Sequence, residues 1–275
     1  MAKVELAGAN PYVPPEAGRP AVRVETMLFT LVEPNTGFEV AYNDWYERDH
    51  QISGGTVGPG WFSNRRWVAT RRLKMLRFPE GGAMDPIDLG SLLSVYWRED
   101  GRAESSEQWA LEQWVWLNER HRIFNERRHA HSASYRHLST ATHPGERVPL
   151  ELALMHPFQG LLMMMVDEGG QDRATAITEL ERVAEGTLLA DDLPILSSWE
   201  LLRAPGQPAQ RPPGTIAREP IDVPLLVGFL RDDPEALWPR VRAFADAVAE
   251  TPATVSYAAG FIPTIPGTTT HLDEL

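Results

Sequence analysis

The order of the predicted secondary-structure elements constrains the fold most, because the same order runs through the chain twice. Each copy reads strand, helix, strand, strand, helix, strand, with a Pro- and Gly-rich loop between its second and third strands. Apolar and β-branched runs predict the strands, and apolar residues at helical spacing predict the helices. The order predicts one repeat over 21–140 and a second over 141–275, which includes the linker. Two unrelated α+β halves are the alternative.

Most of the predicted strands are apolar on both faces, so both faces need cover. Helices can cover one face, and two four-stranded sheets turned towards each other would cover the other. This arrangement predicts an α+β fold in which two βαββαβ repeats form a single-chain barrel with the helices outside. An apolar cavity with a few polar groups, enclosed by such a barrel, is a usual site for a small molecule.

Composition narrows the classes of function. The chain has 275 residues, no cysteine and a formal net charge of −12. The negative charge argues against general nucleic-acid binding, and the lack of cysteine excludes disulfides, thiolate metal sites and cysteine nucleophiles. Apolar runs fall short of the roughly 20 residues that span a bilayer, and the N-terminal residues show no secretory pattern. We therefore expect a cytoplasmic protein with no nucleic-acid or membrane partner.

The densest group of reactive side chains lies on the first predicted helix and the strand after it. The helix carries aromatic residues and a histidine, a Gly/Pro turn follows, and the strand opens with paired arginines, in the order Asp44-Trp45-Tyr46-x-x-x-His50, Val57-Gly58-Pro59-Gly60 and Arg65-Arg66-Trp67. This pattern resembles the signature of EthD-like proteins, which belong to the dimeric α+β barrel superfamily of ferredoxin-like domains. In that superfamily two βαββαβ units form a barrel, and this chain resembles the form duplicated in one chain.

The resemblance implies a range of activities. It includes cofactor-free monooxygenases, polyketide cyclases, decarboxylases, isomerases and dehydratases, and also haem enzymes similar to chlorite dismutase or dye-decolourising peroxidases. Some members only bind small molecules. The first helix of the second repeat has neither the Trp–Tyr pair nor the histidine, which predicts a single site, in the first repeat.

His50 is the principal catalytic candidate. Tyr42, Tyr46 and His50 follow at four-residue spacing, so they share one stripe of the helix. The C-terminal end of a helix raises the basicity of an imidazole, whose usual pKa of about 6.5 lets it accept a proton at neutral pH. Tyr46 can then donate a hydrogen bond to the developing oxyanion. A surface histidine at a helix end is the alternative.

The paired arginines and the remaining aromatic residues of this region complete the first group of candidates. Arg65 and Arg66 alternate along the strand, so only one of them faces the barrel, where it can pair with a carboxylate or enolate. We assign Arg66 a catalytic role and Arg65 a substrate-binding role. Tyr42 and Trp45 are further substrate-binding candidates.

A second cluster lies on the fourth predicted strand. Alternation places His131, Tyr135 and His137 on one face, which is polar for a buried face. These residues can line the cavity and bind substrate, or the face can be an exposed edge. A metal site is not expected there, because acidic partners at matching spacing are missing from the strand.

These observations predict an enzyme without a bound cofactor that acts on a small apolar substrate, aromatic or polyketide-like. His50 would abstract a proton in a reaction of lyase, isomerase, cyclase or monooxygenase type. Motifs for nucleotide binding, zinc proteases and serine hydrolases do not occur in the sequence. The alternatives are a haem enzyme with His131, His137 or His156 as axial ligand, and a binding protein without activity. We expect a monomer or a homodimer.

Overall fold

Eight antiparallel strands close into a barrel in the computed structural model, which describes residues 22–202 and 221–275. The order around the barrel is β1-β3-β2-β8-β5-β7-β6-β4. Each half of the chain therefore contributes four neighbouring strands in the same internal order. The strands are β1 (Val24–Pro34), β2 (Trp61–Val68), β3 (Leu92–Glu99), β4 (Arg127–Thr142), β5 (Gly160–Asp167), β6 (Ile195–Leu201), β7 (Leu225–Leu230) and β8 (Thr254–Pro263).

The helices lie outside the barrel, which confirms the predicted fold class. They are α1 (Glu39–Trp45), α2 (Arg71–Lys74), α3 (Ala103–Glu119), α4 (Arg173–Thr187) and α5 (Pro234–Val248). The division into repeats at 21–140 and 141–275 remains a prediction, and residue 21 lies outside the described residues. Within the described ranges, no helix is long and apolar enough to cross a membrane.

The helices of the second half begin where the sequence supplies an aspartate cap. Asp172 precedes α4 and accepts a hydrogen bond from the Thr175 backbone N–H at 3.1 Å. Asp233 precedes α5 and accepts one from the Glu235 backbone N–H at 2.8 Å, with Pro234 at the first helical position. Such caps satisfy backbone donors that the first helical turn leaves unpaired.

The barrel interior is a packed core, so the expected cavity inside the barrel is wrong. Large side chains from both halves meet there without solvent exposure, among them Trp67, Trp97, Trp199, Phe229 and Phe261. Trp97 and Trp199, which come from opposite halves, stack with their ring centroids 5.1 Å apart. Aromatic rings of this size fill the space that a ligand would need.

The linker between the halves adds to this core. Leu154 and Phe158 are buried in it, and the Trp97 indole N–H donates to the Leu150 carbonyl at 3.1 Å. The Arg65 guanidinium donates to two linker carbonyls, that of His156 at 2.5 Å and that of Phe158 at 3.1 Å. Arg65 is thus the arginine of the pair on the barrel side, and its hydrogen bonds there hold the linker.

We expect a substitution of a buried linker residue to lower the stability of the whole barrel, and not only that of the linker. Leu154 is 2 % exposed. Leu154→Ala should lower the free energy of unfolding by about 2–5 kcal/mol, because the substitution leaves a buried cavity. Leu152→Ala is the matched control, since Leu152 is 47 % exposed and its replacement should change stability by no more than about 0.5 kcal/mol. Urea denaturation of both variants measures the difference, and equal effects would show that the linker is not part of the core.

Candidate functional site

A cavity of about 140 Å³ lies outside the barrel, between the sheet of the first half and its helices. Side chains from α1 and the turns after it, from α3 and from the outer face of the sheet line it. Most are aromatic or aliphatic, and none is a carboxylate. The lining residues are Leu28, Thr30, Val32, Tyr42, Trp45, Tyr46, His50, Gly54, Trp61, Tyr96, Ala110, Trp114, Leu117, Arg127, His129 and Ser132.

The matching surface of the second half is a packed apolar core. There α4 and α5 lie on the sheet and bury aliphatic and aromatic side chains, including Ile177, Leu180, Val241, Phe244 and Val248. In the first half the buried cluster beneath the helices is smaller and surrounds the cavity. The difference places the candidate site in the first half.

The backbone after α1 is wider than an α-helix. Two π-helical turns, Tyr46–His50 and Ile52–Thr56, replace the end of the predicted α-helix, and such turns occur frequently at functional sites. Gly54 lies against the His50 ring, where an added Cβ would be 2.8 Å from its Nδ1 and Cε1 atoms. The glycine therefore leaves room for the imidazole beside the backbone.

The His50 imidazole is held by aromatic rings. It stacks on Trp45 with centroids 4.5 Å apart and meets the Tyr46 ring edge-on at 5.3 Å. Its Nδ1 atom is buried and has no hydrogen-bond partner. Burial, and then the charge of Arg127, lower its pKa to about 3. The expected rise in basicity from the helix end is therefore wrong, and the ring is neutral at pH 7.

Arg127 and His129 complete the polar part of the cavity, and the sequence analysis did not assign either of them to the site. The Arg127 Nε–H donates to His129 Nε2 at 3.1 Å, and its guanidinium lies 4.8 Å from the centroid of the Trp45 ring. Burial lowers the pKa of Arg127. Burial, followed by the charge of Arg127, lowers the pKa of His129 to about 3. β4 begins at Arg127, whereas the sequence predicted that it begins at His131. Both residues were therefore left outside the predicted strand.

A β-bulge explains why neighbouring histidines of β4 face opposite sides. Leu31 pairs with His131 but Val32 pairs with His129, so one extra residue lies in β4 between them. His129 consequently lines the cavity. His131 lies on the barrel side, where its Nε2 is 2.8 Å from the Tyr135 hydroxyl. The predicted face with Tyr135 and His137 therefore lies away from the cavity.

His137 also belongs to the barrel side. Its ring meets Trp199 at 5.1 Å between centroids, and its Nε2 is 2.8 Å from the Thr140 hydroxyl. Among the described residues, no group of three or more His, Cys, Asp or Glu side chains could hold a metal ion.

Two tyrosines join the π-helical turn after α1 to the sheet beside the cavity. The hydroxyls of Tyr46 and Tyr96 lie 2.7 Å apart and are buried. Burial raises the pKa of Tyr96 well above its usual range and also raises that of Tyr42. The phenols of Tyr42 and Tyr96 therefore remain protonated at neutral pH and can donate hydrogen bonds.

Arg66 is not part of the cavity lining, but it contacts Tyr46 and the residues around it. Its Nη1 donates to Asn43 Oδ1 at 2.6 Å and to Glu47 Oε1 at 3.0 Å, and its guanidinium lies 4.5 Å from the centre of the Tyr46 ring. Of the predicted site residues, the structure brings Tyr42, Trp45, Tyr46 and His50 together at the cavity. It does not bring in Arg65, Arg66, His131, Tyr135 or His137.

The fold matches solved proteins at low sequence identity. Two variants of DypB from Rhodococcus jostii RHA1, each in complex with haem, match with TM-scores of 0.52 and 0.50 at 11% and 12% identity. Each match covers 88% of this chain and 94% or 93% of the DypB chain. An anthrone oxidase-like protein matches with a TM-score of 0.49 at 12% identity, over 88% of this chain and 92% of its own.

The two DypB matches, together with the closed eight-stranded barrel, establish the class of fold, a dimeric α+β barrel built here from a single chain, as the motif predicted. No protein-family model matches the sequence, and no curated protein does. The similarity to EthD-like proteins therefore remains a resemblance. The expectation of no cofactor is contradicted, because the DypB variants of this fold were solved in complex with haem.

Haem needs an axial ligand for its iron and enough space for its macrocycle, and the cavity provides only the ligand. His50 is a neutral imidazole with an unpartnered ring nitrogen, which is the kind of ligand that haem iron takes. The unpartnered Nδ1 of His129 carries the ring proton instead, because its Nε2 accepts from Arg127. The volume of about 140 Å³ is well below the roughly 300–1,000 Å³ of pockets for drug-sized ligands. The unpartnered nitrogen of His50 therefore suits haem iron, but with the side chains in these positions the cavity is too small for the macrocycle.

The buried His131 predicts acid sensitivity. Burial lowers its pKa to about 4 in the fold, below the usual value of about 6.5, so the unfolded chain binds a proton that the folded chain does not. Stability is therefore lost as the pH falls from about 6.5 towards 4. His131→Gln cannot take up this proton. Between pH 7 and pH 5 the variant should lose about 2 kcal/mol less unfolding free energy than the wild type.

Urea denaturation at the two pH values measures this difference. Both proteins share every other titrating group, so the difference isolates His131. An identical loss in the two proteins would show that the fold does not lower the pKa of His131.

Proposed function

We propose that this protein is an enzyme that binds a molecule of about one aromatic ring in the cavity of the first half and removes a proton from it. One observation carries the proposal, namely a neutral His50 imidazole with an unpartnered nitrogen in a cavity of about 140 Å³ lined by aromatic rings. An apolar cavity of about 150 Å³ is large enough for benzene. A ring in this cavity would contact its aromatic lining as other aromatic pairs do.

Proton removal would use His50 as the acceptor. The proton moves from an acidic C–H or phenolic O–H of the substrate to a ring nitrogen, and the electron pair stays on the substrate as an enolate or phenolate. His50 is a weak base in the empty site, partly because of the charge of Arg127. The anion formed on the substrate offsets that charge, so proton transfer becomes more favourable as the anion forms.

The tyrosine pair would stabilise this anion. Because the Tyr46 and Tyr96 hydroxyls share one hydrogen bond, one hydrogen of the pair remains available for a substrate oxygen. Arg66 would act as a positioning residue, since it contacts the Tyr46 ring and not the cavity. Tyr42 and Trp45 would bind the ring. Isomerisation, elimination, cyclisation and oxygenation can each start from such an anion, and a protein that only binds the ring is the second candidate.

Acetophenone is a suitable probe for binding, because it is a single ring with an acidic methyl group. We expect it to quench the fluorescence of the tryptophans that line the cavity. Ala110→Phe should weaken binding by roughly tenfold or more, because the new ring fills the cavity. Val115→Phe is the matched control on the same helix, since Val115 is 38 % exposed and is not part of the lining. Equal binding by the two variants would place the ligand elsewhere.

Exchange of the methyl hydrogens of acetophenone in D₂O, followed by NMR, tests the proton acceptor. The wild type should accelerate the exchange, and His50→Ala should lower the accelerated rate by about 10²-fold, because a general base is removed. His121→Asn is the control, since His121 lies at the surface outside the cavity. Binding with no accelerated exchange would support the binding protein, and an unchanged rate in His50→Ala would exclude this base.

A further inference from the structure

Four arginine side chains are buried in residues 22–202 and 221–275, and they differ in their partners. Arg66, Arg77, Arg98 and Arg127 are 4 %, 3 %, 1 % and 4 % exposed. A buried cation is costly unless oxygen acceptors or a carboxylate surround it. The acceptors around each guanidinium therefore indicate whether its charge is compensated within the protein.

Three of these arginines have oxygen acceptors. Arg66 and Arg98 each form an ion pair, with Glu47 and Glu107 respectively. Arg77 donates to three backbone carbonyls, at 2.8, 2.8 and 2.6 Å. Each of these charges is compensated by the fold itself.

Arg127 is the exception among the described buried arginines. Its one side-chain hydrogen bond goes to a nitrogen, His129 Nε2, and its Nη1 is buried with no partner. The Trp45 ring at 4.8 Å compensates part of the charge. Among residues 22–202 and 221–275, no carboxylate or carbonyl oxygen accepts from the guanidinium.

The hydrogen bond to Arg127 also fixes the tautomer of His129. A neutral imidazole carries one proton, and Nε2 accepts from Arg127, so the proton lies on Nδ1. His129 Nδ1 is buried and has no partner either, and the side chain is 7 % exposed. Two adjacent side chains at the cavity therefore hold donors that lack acceptors, and one of them is positively charged.

We propose that Arg127 and His129 form an anion-binding subsite, and that the substrate carries a carboxylate or a comparable anionic oxygen on its ring. The inference rests on the proposed function, because it uses the same cavity. A carboxylate would supply the missing acceptors and the missing negative charge together. The lining contains no acidic side chain that would repel it. The apolar walls would hold the ring, and the guanidinium would hold the charged group.

Benzoate and acetophenone form a matched pair of probes, because they have nearly the same shape and differ in charge. Calorimetry and tryptophan fluorescence measure both affinities at neutral pH. The wild type should bind benzoate at least about tenfold more tightly, as a charge-assisted hydrogen bond implies. Arg127→Met should abolish the preference. Arg128→Met, at an exposed neighbour on the same strand, should keep it.

The thermal stability of Arg127→Met provides a second readout that does not depend on binding. If the charge awaits a ligand, its removal should leave the unfolding temperature of the free protein unchanged or raise it. Benzoate should raise the unfolding temperature of the wild type but not of the variant. A free variant that unfolds at a markedly lower temperature would show that the cation serves the fold, which would overturn the proposal.

The probes separate failure of the subsite from failure of the proposed function. If acetophenone binds and benzoate binds no better, the anion subsite is wrong and the cavity remains a site for neutral rings. A preference for benzoate that persists in Arg127→Met would also overturn the subsite. If neither probe binds the wild type, both the cavity as a ligand site and its anion subsite are refuted.

Discussion

The filling of the barrel is the constraint on which the rest of the structure depends. Trp97 and Trp199 stack across the interior, and the linker adds Leu154 and Phe158 to the same core. A closed barrel of eight strands has room for side chains or for one small ligand, and here the side chains occupy it. The cavity to which we assign ligand binding lies on the outer face of the sheet, beneath the helices. Arg65 supports this filling by binding linker carbonyls.

The two halves share one element order, but their helices pack on the sheet differently. In the second half, aliphatic side chains of α4 and α5 close the space over the sheet, as Leu180 and Phe244 do. In the first half, π-helical turns, a glycine beside His50 and several large rings leave a cavity. Tight packing in the second half stabilises the barrel, and looser packing in the first half leaves the cavity to which we assign binding.

The sequence predicted the repeat and the aromatic stripe on α1, because both follow from spacing. Tyr42, Tyr46 and His50 meet at the cavity as their four-residue intervals imply. It did not reveal the filled barrel, since the apolar residues of the linker look like those of an ordinary connection. The sequence did not assign Arg127 and His129 to the site, because one bulged residue in β4 reverses which face of the sheet the neighbouring side chains lie on. The alternation of side chains along a strand cannot predict such a bulge. The pKa of His50 depends on burial by distant residues, so the helix position alone gave the wrong direction.

If ligands bind outside the barrel with their charge on Arg127, a crystal structure of the protein with benzoate should reveal it. We expect the benzoate ring between α1 and the sheet of the first half, beside Trp45 and His50, with a carboxylate oxygen within hydrogen-bond distance of Arg127 Nη1. Benzoate inside the barrel would refute both the site and its anion subsite, and benzoate in the cavity with its carboxylate turned away from Arg127 would refute the anion subsite.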